Sequence, residues 1–209
     1  MASAQQLKDR VFAEIDARGE EIVGVAREIL AHPEPGYREV RTGKLVAERL
    51  RSLDIPCREG LALTGVKGSL PGGSEGPAVA VLGELDSLLV NDHPHADPGT
   101  GAAHACGHHA QIGMMLGVAT ALKHSGVMPE LGGRVTFMAV PAEEFIEIEW
   151  RNEMRQQGKI EFLGGKPELV RLGEFDDVDV TLLVHSSANA PDKMLGMGGT
   201  NNGLSLIHI

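Results

Sequence analysis

Three short apolar runs set the plan of this chain. Ala78 to Leu82, Arg134 to Val140 and Val178 to Val184 are largely apolar and do not alternate. Unbroken runs of this length mark strands buried on both faces. Amphipathic stretches surround them. In Ala110 to Leu122, Ile112, Met115, Ala119 and Leu122 recur at helical spacing. Val40 to Leu53 carries Leu45, Val46, Leu50 and Leu53 in the same way. Ala4 to Leu30 reads as one amphipathic helix, with Leu7, Val11, Ile15, Ile22, Val25 and Ile29 near one face. His32-Pro33-Glu34-Pro35-Gly36 stops it, because proline cannot continue a helix. Gly60 to Leu70 reads as a strand or hairpin arm, and the charged stretch Phe145 to Gly173 as two helical pieces broken at Gly164-Gly165. Alternating strands and helices predict an α/β domain, a largely parallel mixed sheet flanked by helices. Aromatics are 3% of residues, so its core must come from Leu, Val, Ile, Ala and Met.

Charge and punctuation exclude several classes. The formal charge is −10, with no basic patch, which argues against a nucleic-acid partner. No apolar run approaches the ~20 residues that span a bilayer. The N-terminus shows no basic stretch followed by an apolar one, so a cytoplasmic protein is expected. Two cysteines, Cys57 and Cys106, do not make a disulfide framework. Gly72 to Gly76 matches the G-x-S-x-G string of serine hydrolases, but that elbow lies between a strand and a helix, and here a strand follows. The glycines from Gly196 to Gly203 do not follow a strand and open a helix, which argues against a dinucleotide fingerprint.

Each apolar run ends in polar chemistry: Glu84 and Asp86, then Glu143 and Glu144, then His185. In open α/β sheets, ligands bind beyond the carboxyl ends of the strands. Between the first two ends stands His104-Ala105-Cys106-Gly107-His108-His109, at a turn that feeds a helix. The helix N-terminus there is expected to lower the thiol's pKa. A thiolate and a nearby imidazole suit zinc or another divalent transition metal. Asp86, Cys106, His108, Glu143, Glu144 and His185 are therefore expected to converge. Adjacent Glu143 and Glu144 cannot point the same way on extended chain, so one faces metal and the other substrate. Each residue alone has a blander reading: a capped turn for Asp86, a solvated helix start for the two glutamates, a satisfied core histidine for His185. Two other readings stay open, a cysteine amidase with Cys106 as nucleophile and an inactive metal-binding fragment or homologue.

Glu84-Leu85-Asp86-Ser87-Leu88, His104 to His109, Pro141-Ala142-Glu143-Glu144 and Leu183-Val184-His185 appear in order. Together they resemble the co-catalytic metallopeptidase and amidohydrolase family of aminoacylases, carboxypeptidases and dipeptidases. The branch most resembled acts on hippurate, indoleacetyl-amino acids and aminobenzoyl-glutamate, and admits a cysteine to its metal site. The resemblance implies a zinc-exopeptidase-like catalytic domain that hydrolyses N-acyl amino acids or small dipeptide-like substrates. It implies Cys106, His108, Glu144 and His185 as metal ligands, Glu143 as general base and Asp86 as the acid that orients the site. It also implies one or two divalent ions (Zn, Mn or Co), a small-molecule substrate, and a homodimer for the full-length protein. His109 stands where that branch has Asp, Glu84 replaces the more usual Asp, and Phe145 to Asp177 looks longer and more charged. Residues 1–190 read as the N-terminal part of the catalytic domain, and 191–209 as the start of a truncated lid and dimerisation domain. Leu204 to Ile209 matches nothing expected there and reads as a candidate non-native tail.

Overall fold

The computed structural model describes residues 2–186. The expected lid segment 191–209, the glycines from Gly196 to Gly203 and the tail from Leu204 lie outside the described residues. In chain order the elements are α1 (Ala4–Ala17), α2 (Gly19–Leu30), α3 (Val40–Ser52), β1 (Cys57–Leu61), β2 (Gly65–Pro71), β3 (Ser74–Glu84), β4 (Leu88–Leu89), β5 (Ala102–Ala103), α4 (His108–Ser125), β6 (Gly132–Val140), α5 (Ile148–Gln156), α6 (Gly165–Arg171) and β7 (Val180–Leu183).

The main sheet has the order β1-β2-β6-β3-β7, and β4 pairs with β5 separately. β3 runs parallel to β6 and to β7, while β1–β2 and β2–β6 are antiparallel. The sheet is mixed, and its parallel part is where the polar strand ends lie. β6 shows why the apolar runs do not alternate. Phe137 and Ala139 enter one core with Leu50, Ile112 and Met115, while Met138 and Val140 enter another with Tyr37, Met154 and Leu169. Successive side chains of a strand point to opposite faces, so both faces of β6 are covered. Helices α2, α3 and α4 supply the first core, and α5 and α6 the second.

α4 lies directly over the end of β3. A Cβ at Gly83 would sit 3.2 Å from the Ile112 Cα and 2.9 Å from its Cδ1. Only glycine permits that approach, and it brings the first residue of α4, His108, beside the last residue of β3, Glu84.

Two expectations need correction. Ala4 to Leu30 is two helices, broken at Arg18, whose φ of −114° and ψ of 14° leave the helical region. Val178 to Val184 is not a strand buried on both faces. β7 is one of the sheet's two edge strands among the described residues, and Val180 and Leu182 are 48% and 54% exposed. An apolar run specifies a strand but not its place in the sheet. The charged stretch after Glu144 does form two helices, with the break spread over residues 157–164.

Candidate metal centre

Glu84 and Val140 are register partners at the ends of parallel β3 and β6. Glu84-Leu85-Asp86 and Pro141-Ala142-Glu143-Glu144 therefore leave the sheet side by side. Ala142 has φ +48°, in the left-handed region. Such a conformation costs about 1–3 kcal/mol for a residue with a side chain. It is held from both sides: the Ala142 N–H donates to Glu39 Oε1 at 2.7 Å, and its carbonyl accepts from the Gly165 N–H at 3.1 Å. On the neighbouring element, Gly107 has φ +102° and caps α4, which starts at His108.

His108 is fully buried and central. Its Nδ1 lies 2.9 Å from the Asp86 carbonyl oxygen and 3.4 Å from Asp86 Oδ1. Its Nε2 lies 2.9 Å from Glu84 Oε2, 3.8 Å from Glu143 Oε2 and 3.9 Å from Glu144 Oε1. Cys106 Sγ is 3.2 Å from His185 Nε2, and the His185 ring meets His108 edge-on with centroids 6.0 Å apart. Asp86 Oδ2 accepts the Glu144 N–H at 2.9 Å. Two overlapping groups have all their donor atoms within 4.8 Å: Cys106, His108 and His185, and Glu84, His108 and Glu143. All six expected residues thus lie in one neighbourhood. Of the two glutamates, the Glu143 side chain is the more open, at 35% against 17% for Glu144.

Sequence reasoning left four contributors without a role. Glu84 is the carboxylate nearest His108 Nε2. Gln111, one turn into α4, donates from Nε2 to Glu84 Oε2 at 3.0 Å and accepts the Glu84 N–H at 3.2 Å. Lys166, on α6, pairs with Glu84 and reaches Glu143 Oε1 at 3.5 Å. Glu39 supports Ala142 from below. Glu84 was visible as a polar strand end. Nothing in the sequence aimed Lys166 or Glu39 inward, because each sits in a charged stretch that reads as solvated.

The electrostatics are those of a crowded acidic cup. Burial alone would depress the His108 imidazolium, but Asp86 and Glu84 outweigh it and hold it up at about 10. Burial would raise Glu84, yet His108 and Lys166 bring it down to about 2. Burial raises Glu144, and the negative charge of Glu143 and Asp86 adds to it. Cys106 contradicts the expectation of a thiolate. Burial, then Glu144, Glu143 and Glu84, push its thiol up to about 12. The thiol sits ahead of the helix, and burial first, then the surrounding carboxylates, overcome the helix N-terminus. His104 and His109 belong to neither donor group. His104 is buried, with both ring nitrogens unpartnered among the described residues, 5.4 Å ring to ring from His109.

Among the described residues, buried Asp86 Oδ1 and Glu144 Oε1 have no hydrogen-bond partner, and buried His108 Nε2 faces a crowd of carboxylates, the nearest being Glu84 Oε2 at 2.9 Å. Buried polar atoms are almost always paired. Unpaired carboxylate oxygens beside an imidazole and a thiol, in an excess of carboxylates, fit a divalent transition ion, which supplies the missing positive charge and partners. The residues present fit such a group.

No protein-family model matches the chain. Individual proteins do. Thermostable carboxypeptidase 1 of Saccharolobus solfataricus is 32% identical over 174 residues, which are 81% of this chain and 40% of that protein. N-acetyl-L-cysteine deacetylase of Bacillus subtilis is 28% identical over 186 residues, 88% of this chain and 39% of that protein. A solved Bacillus subtilis structure, described as a dinuclear metal-binding peptidase of the M20 family, superposes with a TM-score of 0.68 at 26% identity, over 84% of this chain and 45% of that one. The chain belongs to this metallopeptidase and amidohydrolase family. The chain spans about 40% of the length of these two curated relatives. The family's catalytic-domain fold accounts for the mixed sheet and its flanking helices. Among the described residues, no helix is long and apolar enough to cross a membrane.

Proposed function

We propose that this chain is the N-terminal part of a metal-dependent hydrolase that cleaves the amide bond of N-acyl amino acids or small dipeptide-like substrates. The observation that carries the reading is the convergence of buried His108 with Asp86, Glu84 and Glu144 beside Cys106 and His185, where Asp86 Oδ1 and Glu144 Oε1 have no hydrogen-bond partner among the described residues. Cys106, His108, Glu144 and His185 would hold one or two ions, drawn from Zn, Mn or Co. A bound divalent ion supplies a Lewis acid that polarises the amide carbonyl and lowers the pKa of water toward ~7. Glu143, the more open of the two glutamates, takes the water's proton and returns it to the leaving amine. Lys166 at 3.5 Å keeps the Glu143 carboxylate turned inward. Asp86 fixes the His108 ring through Nδ1 and the Glu144 backbone through its N–H, the outer support that ligands need. The partner is a small molecule, and the full-length protein is a homodimer.

The 3.2 Å approach of Cys106 to His185 is also that of a nucleophile and its base. A thiol pushed up to about 12 disfavours that amidase reading. Elemental analysis of the purified chain before and after chelation, with melting temperature read alongside, tests the first reading. One or two divalent ions, lost together with stability, support it. A metal-free chain with unchanged stability sinks it. In the full-length protein, Glu143→Gln is expected to abolish turnover and retain metal; near-parent rates would remove Glu143 as the base.

A further inference from the structure

The stretch from His32 to Thr42 reads in sequence as a helix stop and a restart, but it also packs beneath the turn that carries Glu143 and Glu144. Glu39, one residue ahead of α3, has no exposed surface. Its Oε1 accepts the Ala142 N–H at 2.7 Å, and its Oε2 accepts the Thr64 hydroxyl at 2.6 Å. Both donors must be met at once, and a carboxylate is the side chain that only accepts. Gly36 leaves the room alongside: a Cβ there would come 2.8 Å from the Ala142 Cα and would strike the buried Arg151 guanidinium. Ala142 itself is in the left-handed region, at φ +48°. Without an acceptor for its buried N–H, the residue would keep only the Gly165 N–H bond to its carbonyl against the cost of that conformation.

We propose that Glu39 is a positioning residue: its buried carboxylate clamps the left-handed turn at Ala142 and so fixes where Glu143 and Glu144 stand relative to His108. The cause lies in hydrogen bonds of the described structure; the consequence for metal rests on the function proposed above. Glutamine at 39 keeps an acceptor for Ala142, and the Thr64 hydroxyl can rotate to accept from its amide. Methionine fills similar space, and its thioether is only a weak acceptor. Aspartate keeps the charge but is one methylene short of reaching both donors.

The experiment uses the 209-residue chain and three readouts: zinc affinity by competition with a chromophoric chelator, exchange of the Ala142 amide by NMR, and melting temperature. Glu39→Met is expected to weaken zinc binding about 10–100-fold, the usual loss when outer support to ligands is removed, and to speed Ala142 exchange. Glu39→Gln is expected to stay close to the parent in both. A merely structural role would lower the melting temperature without separating the two variants in zinc affinity. Parent-like zinc affinity in Glu39→Met, or equal losses in Glu39→Gln and Glu39→Met, overturns the clamp. If Glu39→Met does not fold, Glu39→Asp replaces it with the same expected direction, and parent-like affinity there overturns the clamp too. A parent chain that binds no zinc sinks the function reading instead. Ala142 exchange then decides alone: faster exchange in Glu39→Met or Glu39→Asp supports the clamp, and unchanged exchange overturns it.

Discussion

Replacing His104 with leucine removes a buried base that the fold holds neutral. His104 is 5% exposed, and neither ring nitrogen has a partner among the described residues. Burial, reinforced by the nearby His109 and His108, lowers its pKa from 6.5 to about 3. The unfolded chain takes up a proton near the usual histidine value. Between those two values the unfolded chain binds a proton that the folded chain refuses. Stability from this group is therefore present above the unfolded pKa and is lost as pH falls through the window. At about pH 4.5 the acid lies some two units below the unfolded value, which at ~1.36 kcal/mol per unit is a loss of about 2.7 kcal/mol. Leucine has similar volume and no ring nitrogens, so His104→Leu should abolish this component and leave the other titrations in place. Urea unfolding of parent and variant at about pH 7.5 and about pH 4.5, with chelator throughout, gives the double difference directly. The parent should lose about 2.7 kcal/mol more than the variant on acidification. Equal losses in the two proteins would refute the argument that burial keeps this histidine uncharged.

Other substitutions test the frame around the site. Gly36→Ala places a Cβ 2.8 Å from the Ala142 Cα, so the backbone must give; a loss of about 1–3 kcal/mol is expected in urea midpoints, as for overpacked cores. Phe137→Ala empties a fully buried position on the central strand β6 and should cost about 3–5 kcal/mol. Asp86→Asn removes charge beside His108 Nδ1, 3.4 Å away, and should weaken zinc binding about 10–100-fold with the fold intact by circular dichroism.

Much of this architecture was legible because a few residues were forced. Ala80, Leu82, Phe137 and Met138 are apolar in unbroken runs since β3 and β6 are covered on both faces. The polar residues that end those runs then had a single edge at which to meet. What stayed illegible depends on neighbours rather than on local pattern. Val178 to Val184 has the composition of an interior strand, yet β7 has one pairing partner among the described residues. Arg18 breaks the first amphipathic stretch with no proline to announce it. Lys166 and Glu39 look like solvated charges until the fold turns them toward carboxylates and a backbone N–H. The thiol of Cys106 was misjudged for the same reason. Its helix was visible in sequence, but its burial, the largest cause of the rise, and the three glutamates crowding it come from segments far along the chain.

The edge position of β7 has a kinetic consequence. Among the described residues, His185 follows a strand held by four residue pairs to a single neighbour, whereas Glu84 and His108 are rooted in the interior. Short, exposed, singly paired segments open most cheaply. On the proposed donor set the grip on an ion is therefore graded, with several anchored donors and one at a margin that frays. Loading and release would pass by way of His185, and the rate of exchange would follow the opening of one short strand, not the rupture of the cup behind it.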